Sequence, residues 1–143
     1  MQIDVENQTD YKPDISRLQT VAQALSTRPV EVVFVNDANI AKLNALYRGV
    51  DKPTDVLSFP LEGVLPHLPL GSVVINVEHL YRAAQRYGHT AHEECALLFI
   101  HGMLHLLGYD HETDAGEMRA KEEELIAAFG LPCSLIVRTE EKS

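Results

Sequence analysis

Three observations predict a single α+β domain. Four short runs carry β-branched or alternating apolar residues, at Ile3 to Val5, Val30 to Val35, Val56 to Phe59 and Gly71 to Asn76. Five longer stretches repeat apolar residues at the three- and four-residue steps of an amphipathic helix. The chain has 143 residues and 45% hydrophobic content, enough for one core and too little for two. Residues 1–143 are therefore expected to form one domain, with those after about 131 a short tail.

Each element has its own signals. Ile3 and Val5 alternate with polar residues, and the polar connection from Asp10 to Pro13 follows. In the first helix Ile15, Leu18, Val21, Ala22 and Leu25 share a face, Asp14 can cap it, and Pro29 bars continuation. Val30 to Val35 is rich in β-branched residues and reads as a largely buried strand. Asn36 or Asp37 can cap a second helix with an apolar face of Ile40, Leu43, Leu46 and Tyr47; Gly49 stops it, so Arg48 sits at its carboxyl end. Gly49 to Asp55 reads as a fixed loop into the strand that Pro60 terminates.

Leu61 to Leu70, with Gly63, Pro66 and Pro69, is expected to be a mobile loop before the apolar strand at Gly71 to Asn76. Glu78 to Tyr87 forms the third helix, closed by Gly88, with Arg82 and Arg86 one turn apart. Thr90 and Glu93 make a capping-box pattern for a long helix with Leu97, Leu98, Leu104 and Leu107 on its apolar face. Glu112 to Phe129 is the last helix, with Met118, Leu125, Ile126 and Phe129 inward and Glu122 to Glu124 largely solvated. Leu135 to Val137 can add an edge strand, and Thr139 to Ser143 should fray.

Charge and composition exclude several functions. A net charge of −9 argues against loose binding to nucleic acid, including DNA, through many phosphate contacts. The charge is uneven: residues 36–60 carry three acids and three bases, whereas residues 112–143 carry eight acids and four bases. A polyanion would have to approach away from the carboxyl end. The longest apolar run, Ala96 to Ile100, falls far short of the ~18 residues a membrane span needs, and the first residues lack the basic character of a signal peptide. A cytoplasmic protein without membrane partners is expected. Cys95 and Cys133 form no C-x-x-C pair, and Cys95 reads as a small buried hydrophobe rather than half of a disulfide.

The chemistry concentrates between His101 and His111. His101 and His105 are four residues apart, so on a helix both imidazoles lie on one face and reach one ion. Gly108 lets the chain leave the helix and His111 fold back. Three neutral nitrogens around Zn2+ leave a fourth position open, which is the catalytic arrangement. The spacing H-x-x-x-H-x-x-G-x-x-H is that of the metzincin proteases, but those enzymes place a glutamate general base directly after the first histidine, where this chain has Gly102. The bland alternative is three unrelated helix and loop histidines.

Neighbouring residues have ordinary explanations. Glu94 lies one heptad before His101, about 10 Å along the axis, and reads as a solvated or helix-start acid. Asp110 and Asp114 can accept a ring N–H of the third histidine, although capping explains Asp114 equally well. Met118 reads as core packing, and His67, His79, His89 and His92 as surface-loop and helix-end residues.

Arg48-Gly49, the run Pro53-Thr54-Asp55-Val56-Leu57-Ser58-Phe59-Pro60, and His101-Gly102 through Gly108-Tyr109-Asp110-His111 together resemble the YbeY family of bacterial rRNA maturation factors. The resemblance covers roughly Val32 to Phe129. It implies a small mixed sheet packed against helices, with zinc held by His101, His105 and His111 at the end of the long helix. It also implies single-strand-specific endoribonuclease activity in maturing the 3′ end of 16S rRNA and in ribosome quality control. The substrate would be single-stranded rRNA within ribosomal particles, with a ribosomal protein or GTPase as recruiting partner. The family's functional arginine falls at Arg48, turning a helix-end cation into a phosphate or transition-state contact. Ser72 stands where many members have aspartate, and Cys95 where leucine is usual. Two competing readings are a metallopeptidase-like zinc hydrolase, weakened by Gly102, and a non-catalytic ribosome-assembly factor with a structural metal.

Overall fold

Alternation along the strands decides which helices each face of the sheet meets. The computed structural model describes residues 3–61, 68–110 and 115–131. Its elements are β1 (Ile3–Asn7), α1 (Ile15–Leu25), β2 (Val30–Val35), α2 (Asp37–Arg48), β3 (Val56–Pro60), β4 (Gly71–Asn76), α3 (Val77–Tyr87), α4 (Ala91–Leu106) and α5 (Glu117–Ala128). Outside the described residues lie His111, Glu112, Asp114, Cys133, the centre of the Leu61 to Leu70 loop with His67, and the tail with its expected edge strand and fraying end. The last helix, expected from Glu112, begins only at Glu117, because Gly116 before it is left-handed at φ 107° and Ala115 is not helical.

The fold is a small α+β arrangement with one mixed four-stranded sheet and, among the described residues, five helices. Strand order is β1-β2-β4-β3. β2 runs parallel to β1 and β4, with Val32 opposite both Val5 and Val73, and β3 runs antiparallel to β4, with Ser58 opposite Val73. Val32, Phe34, Val73 and Ile75 join the larger core under α1, α3, α4 and α5. Their alternates Val33, Val35 and Val74 meet Leu57 and Ile40 in a smaller cluster beneath α2. The strict two-residue period thus divides one sheet between two cores.

Local signals place the helix ends. Asp14, Asn36 and Asn76 accept backbone N–H groups at the starts of α1, α2 and α3, and Gly49 and Gly88 end α2 and α3 in left-handed conformation. Thr90 and Glu93 form the full capping box of α4.

Burial corrects two readings. On α2, Leu46 and Tyr47 are 73% and 63% exposed, while Asn44 is buried. Ile40 and Leu43 cover the smaller cluster, while Tyr47 keeps only an edge-to-face contact with Phe59 of β3, ring centroids 5.0 Å apart, and stays largely exposed. Asn44 turns inward because its side-chain Nδ2 donates to the Lys52 carbonyl at 2.9 Å. α4 is not a one-faced helix but is buried without interruption from Glu94 to Leu104, whereas Leu107 lies beyond its end and is partly exposed.

Candidate active site

The site forms where the end of α4 meets β3 and the end of α2. His101 and His105 stand one turn apart, their Nε2 atoms 3.1 Å from each other and their rings edge to face. Tetrahedral ligands at zinc–nitrogen distances of about 2.0–2.1 Å lie roughly 3.3 Å apart, so this pair fits the first two positions of such a site. Among the described residues no set of three or more His, Cys, Asp and Glu side chains is arranged around one ion; the third expected ligand, His111, is not among them. α4 ends in a Schellman closure, in which Gly108 donates to the His105 carbonyl, Tyr109 donates to the Leu104 carbonyl, and Gly108 adopts φ 99°. That closure carries the chain out to Asp110 beside the two imidazoles.

Arg48, Thr54, Asp55, Ser58, His101 and His105 line one cavity of about 540 Å³ together with Tyr109 and Asp110. Arg48 is exposed at the carboxyl end of α2. The Thr54–Asp55 loop is held firmly. Asn76, fully buried, donates to the Thr54 carbonyl and to Asp37, its backbone N–H donates to the Asp55 carbonyl, and Asp55 accepts the Val56 N–H. The cavity therefore brings a cation, two imidazoles, carboxylates and hydroxyls to one concave surface.

Gly102 is more than a missing glutamate. A Cβ at this position would lie 2.5 Å from Val73 Cγ1 and 3.3 Å from Ser58 Oγ, so α4 crosses β4 too closely for any side chain. Ser58 Oγ also donates to the Gly102 carbonyl at 2.9 Å, fixing β3 to the helix.

Three acid and histidine readings need correction. Glu122 is not solvated: it is buried, and its Oε1 lies 2.6 Å from His101 Nδ1, with side-chain exposures of 5% and 9%. Its position was signalled in the sequence, since residues 118, 122, 125 and 126 share one helical face and Glu122 interrupts an otherwise apolar stripe. Glu94 is also fully buried rather than solvated, and it faces His89 Nδ1 at 3.1 Å, which takes the His89 side chain off the surface. His92 is exposed, as expected of a helix-start residue, although Nδ1 meets the Tyr11 hydroxyl. Met118 is core, and burial pushes the Cys95 thiol up to about 12, so it behaves as a hydrophobe. Thr54, Asp55 and Ser58 are cavity residues to which the spacing of the motifs attached no role.

Comparison with known proteins gives a family. The family model described as endoribonuclease YbeY matches residues 2–130. An endoribonuclease YbeY of Wolinella succinogenes is 58% identical over 139 residues, covering 97% of this chain and 99% of that protein. Those of Nautilia profundicola and Helicobacter pylori are 52% and 53% identical, with 97% of this chain and 99% of each relative covered. The solution structure of a Thermotoga maritima protein superposes with a TM-score of 0.60 at 27% identity, covering 89% of this chain and 88% of that one.

Proposed function

The chain belongs to the YbeY family of endoribonucleases, and from that premise we propose that it is a zinc-dependent, single-strand-specific endoribonuclease acting on rRNA. Its task would be maturation of the 3′ end of 16S rRNA and ribosome quality control, in the cytoplasm. The observation that carries the reading is the convergence of Arg48, His101 and His105 on one cavity.

His101, His105 and His111 would hold the metal. When bound, zinc supplies Lewis-acid chemistry toward a phosphoryl oxygen. The rest falls to the chain. The Arg48 guanidinium offers a planar fork to a phosphodiester and offsets the charge that develops on its oxygens as the bond breaks. The fixed Thr54–Asp55 wall limits how the strand can lie. A 2′,3′-cyclic phosphate on the product would identify the RNA's own 2′-hydroxyl as the attacking group; a linear phosphate formed directly would identify water.

A net charge of −9 gives little affinity for naked RNA. Recruitment by a ribosomal protein or GTPase would bring the cavity to its substrate within a ribosomal particle. A peptidase mechanism is disfavoured because the crowding at Gly102 leaves no place for the glutamate base. The test replaces the resident gene with Arg48→Ala or His101→Ala and maps 16S 3′ ends. Unprocessed ends are expected in both, and normal ends in both would remove the processing role.

A further inference from the structure

We infer that Glu122 is a positioning residue that orients His101 as a metal ligand. The inference rests on the metal site proposed above and adds a residue from a different helix to it. An imidazole has two nitrogens, and only one bearing a lone pair can bind a metal. His101 Nδ1 lies 2.6 Å from Glu122 Oε1, so its N–H donates to the carboxylate, and the lone pair is left on Nε2, the atom facing His105. Ring orientation and tautomer are thus both set from α5. Carboxylates in this relation to ligating histidines raise ligand basicity and affect metal affinity strongly.

The competing account is a buried ion pair that joins α5 to α4. Packing argues against it. Met118, Leu125 and Ile126 already seat α5 in the larger core, and a buried carboxylate is costly there compared with an apolar side chain continuing the same stripe. A group retained against that cost, and aimed at the one nitrogen of His101 that does not face His105, fits orientation better than adhesion.

The two accounts separate on Glu122→Gln and Glu122→Leu in the full chain. Glutamine can still accept the Nδ1–H but lacks the charge, and leucine removes both. Zinc affinity, measured by competition with a chromogenic chelator, is expected to fall about 10- to 100-fold, with the leucine variant weaker than the glutamine variant. In the metal-free wild type, two-bond ¹H–¹⁵N correlations should put the His101 hydrogen on Nδ1, a preference the leucine variant should lose. If the leucine variant does not fold, the glutamine variant decides alone. Unchanged zinc affinity in folded variants overturns the role of Glu122 and leaves the metal site standing. A wild-type chain that binds no zinc removes the metal site itself, and this inference with it.

Discussion

Gly102 shows how far one position can constrain both packing and chemistry. Its hydrogen stands where a Cβ would press on Val73, a stiff, fully buried side chain in the middle of β4. Gly102→Ala is therefore expected to destabilise the fold by about 1–3 kcal/mol through overpacking, although alanine is the better helix former. A lowered urea midpoint with an unchanged slope would register this; an unchanged or raised midpoint would mean that the helix moves away freely. The juxtaposition of His101 and His105 was legible because a four-residue offset puts two side chains on one helix face. The partners that turn inward were less so. Glu94 and Glu122 carry the charge of surface residues, and composition argues for solvent unless the stripe they interrupt is read as well. Asn44 is buried for a loop carbonyl 8 residues away, a partner that no periodicity can name.

At the scale of elements, capped helix ends were readable, the uncapped start of α5 at Glu117 was not, and buried faces were only partly so. Caps are local chemistry, complete within a few residues, and Asp14, Asn36, Thr90, Gly49 and Gly88 act where the sequence puts them. Which side of a helix is covered depends on what lies opposite, and α2 covers only a small part of the sheet, leaving Leu46 exposed and Tyr47 held by the edge of Phe59. The start of α2 is tied to α3 instead. Both Arg82 terminal nitrogens donate to Asp37 at 2.9 Å, and these bonds, with that from Asn76, hold the Asp37 carboxyl down at about 2. A carboxylate with a lowered folded pKa contributes stability at pH values above its unfolded pKa, near 3.8, and loses it as the pH falls toward 2. Unfolding free energy should therefore drop more steeply between about pH 4 and 2 in the wild type than in Asp37→Asn. Because Arg82 is largely solvent-exposed, the difference should be at most about 1 kcal/mol. Parallel acid titrations of the two would dismiss the linkage.

For the whole molecule, strand patterns did not specify strand order. Four apolar runs are compatible with several sheets, and the mixed character followed from family resemblance, because pairing between distant segments leaves no periodic trace. The order found matters for the site, since it puts β3 at the sheet edge beside α4, with Ser58 bonded to Gly102 and Asp55 facing the cavity. The larger core extends through α1, α3 and α4 well beyond the two imidazoles. Stripping the proposed zinc should therefore lower the melting temperature, by roughly 10 °C for a site held at 100 times its dissociation constant, while far-ultraviolet circular dichroism at 25 °C stays native. Loss of helical signal on chelation would instead mark the metal as structural.

The close crossing of α4 over β4 also sets which catalysts lie within reach of this scaffold. A glutamate at position 102 requires a smaller residue at position 73 in the same molecule, and each change alone either strains the core or hollows it. In a library of single substitutions, no member would pass from this site to one with its own carboxylate base after the first histidine. The two changes would have to be introduced together.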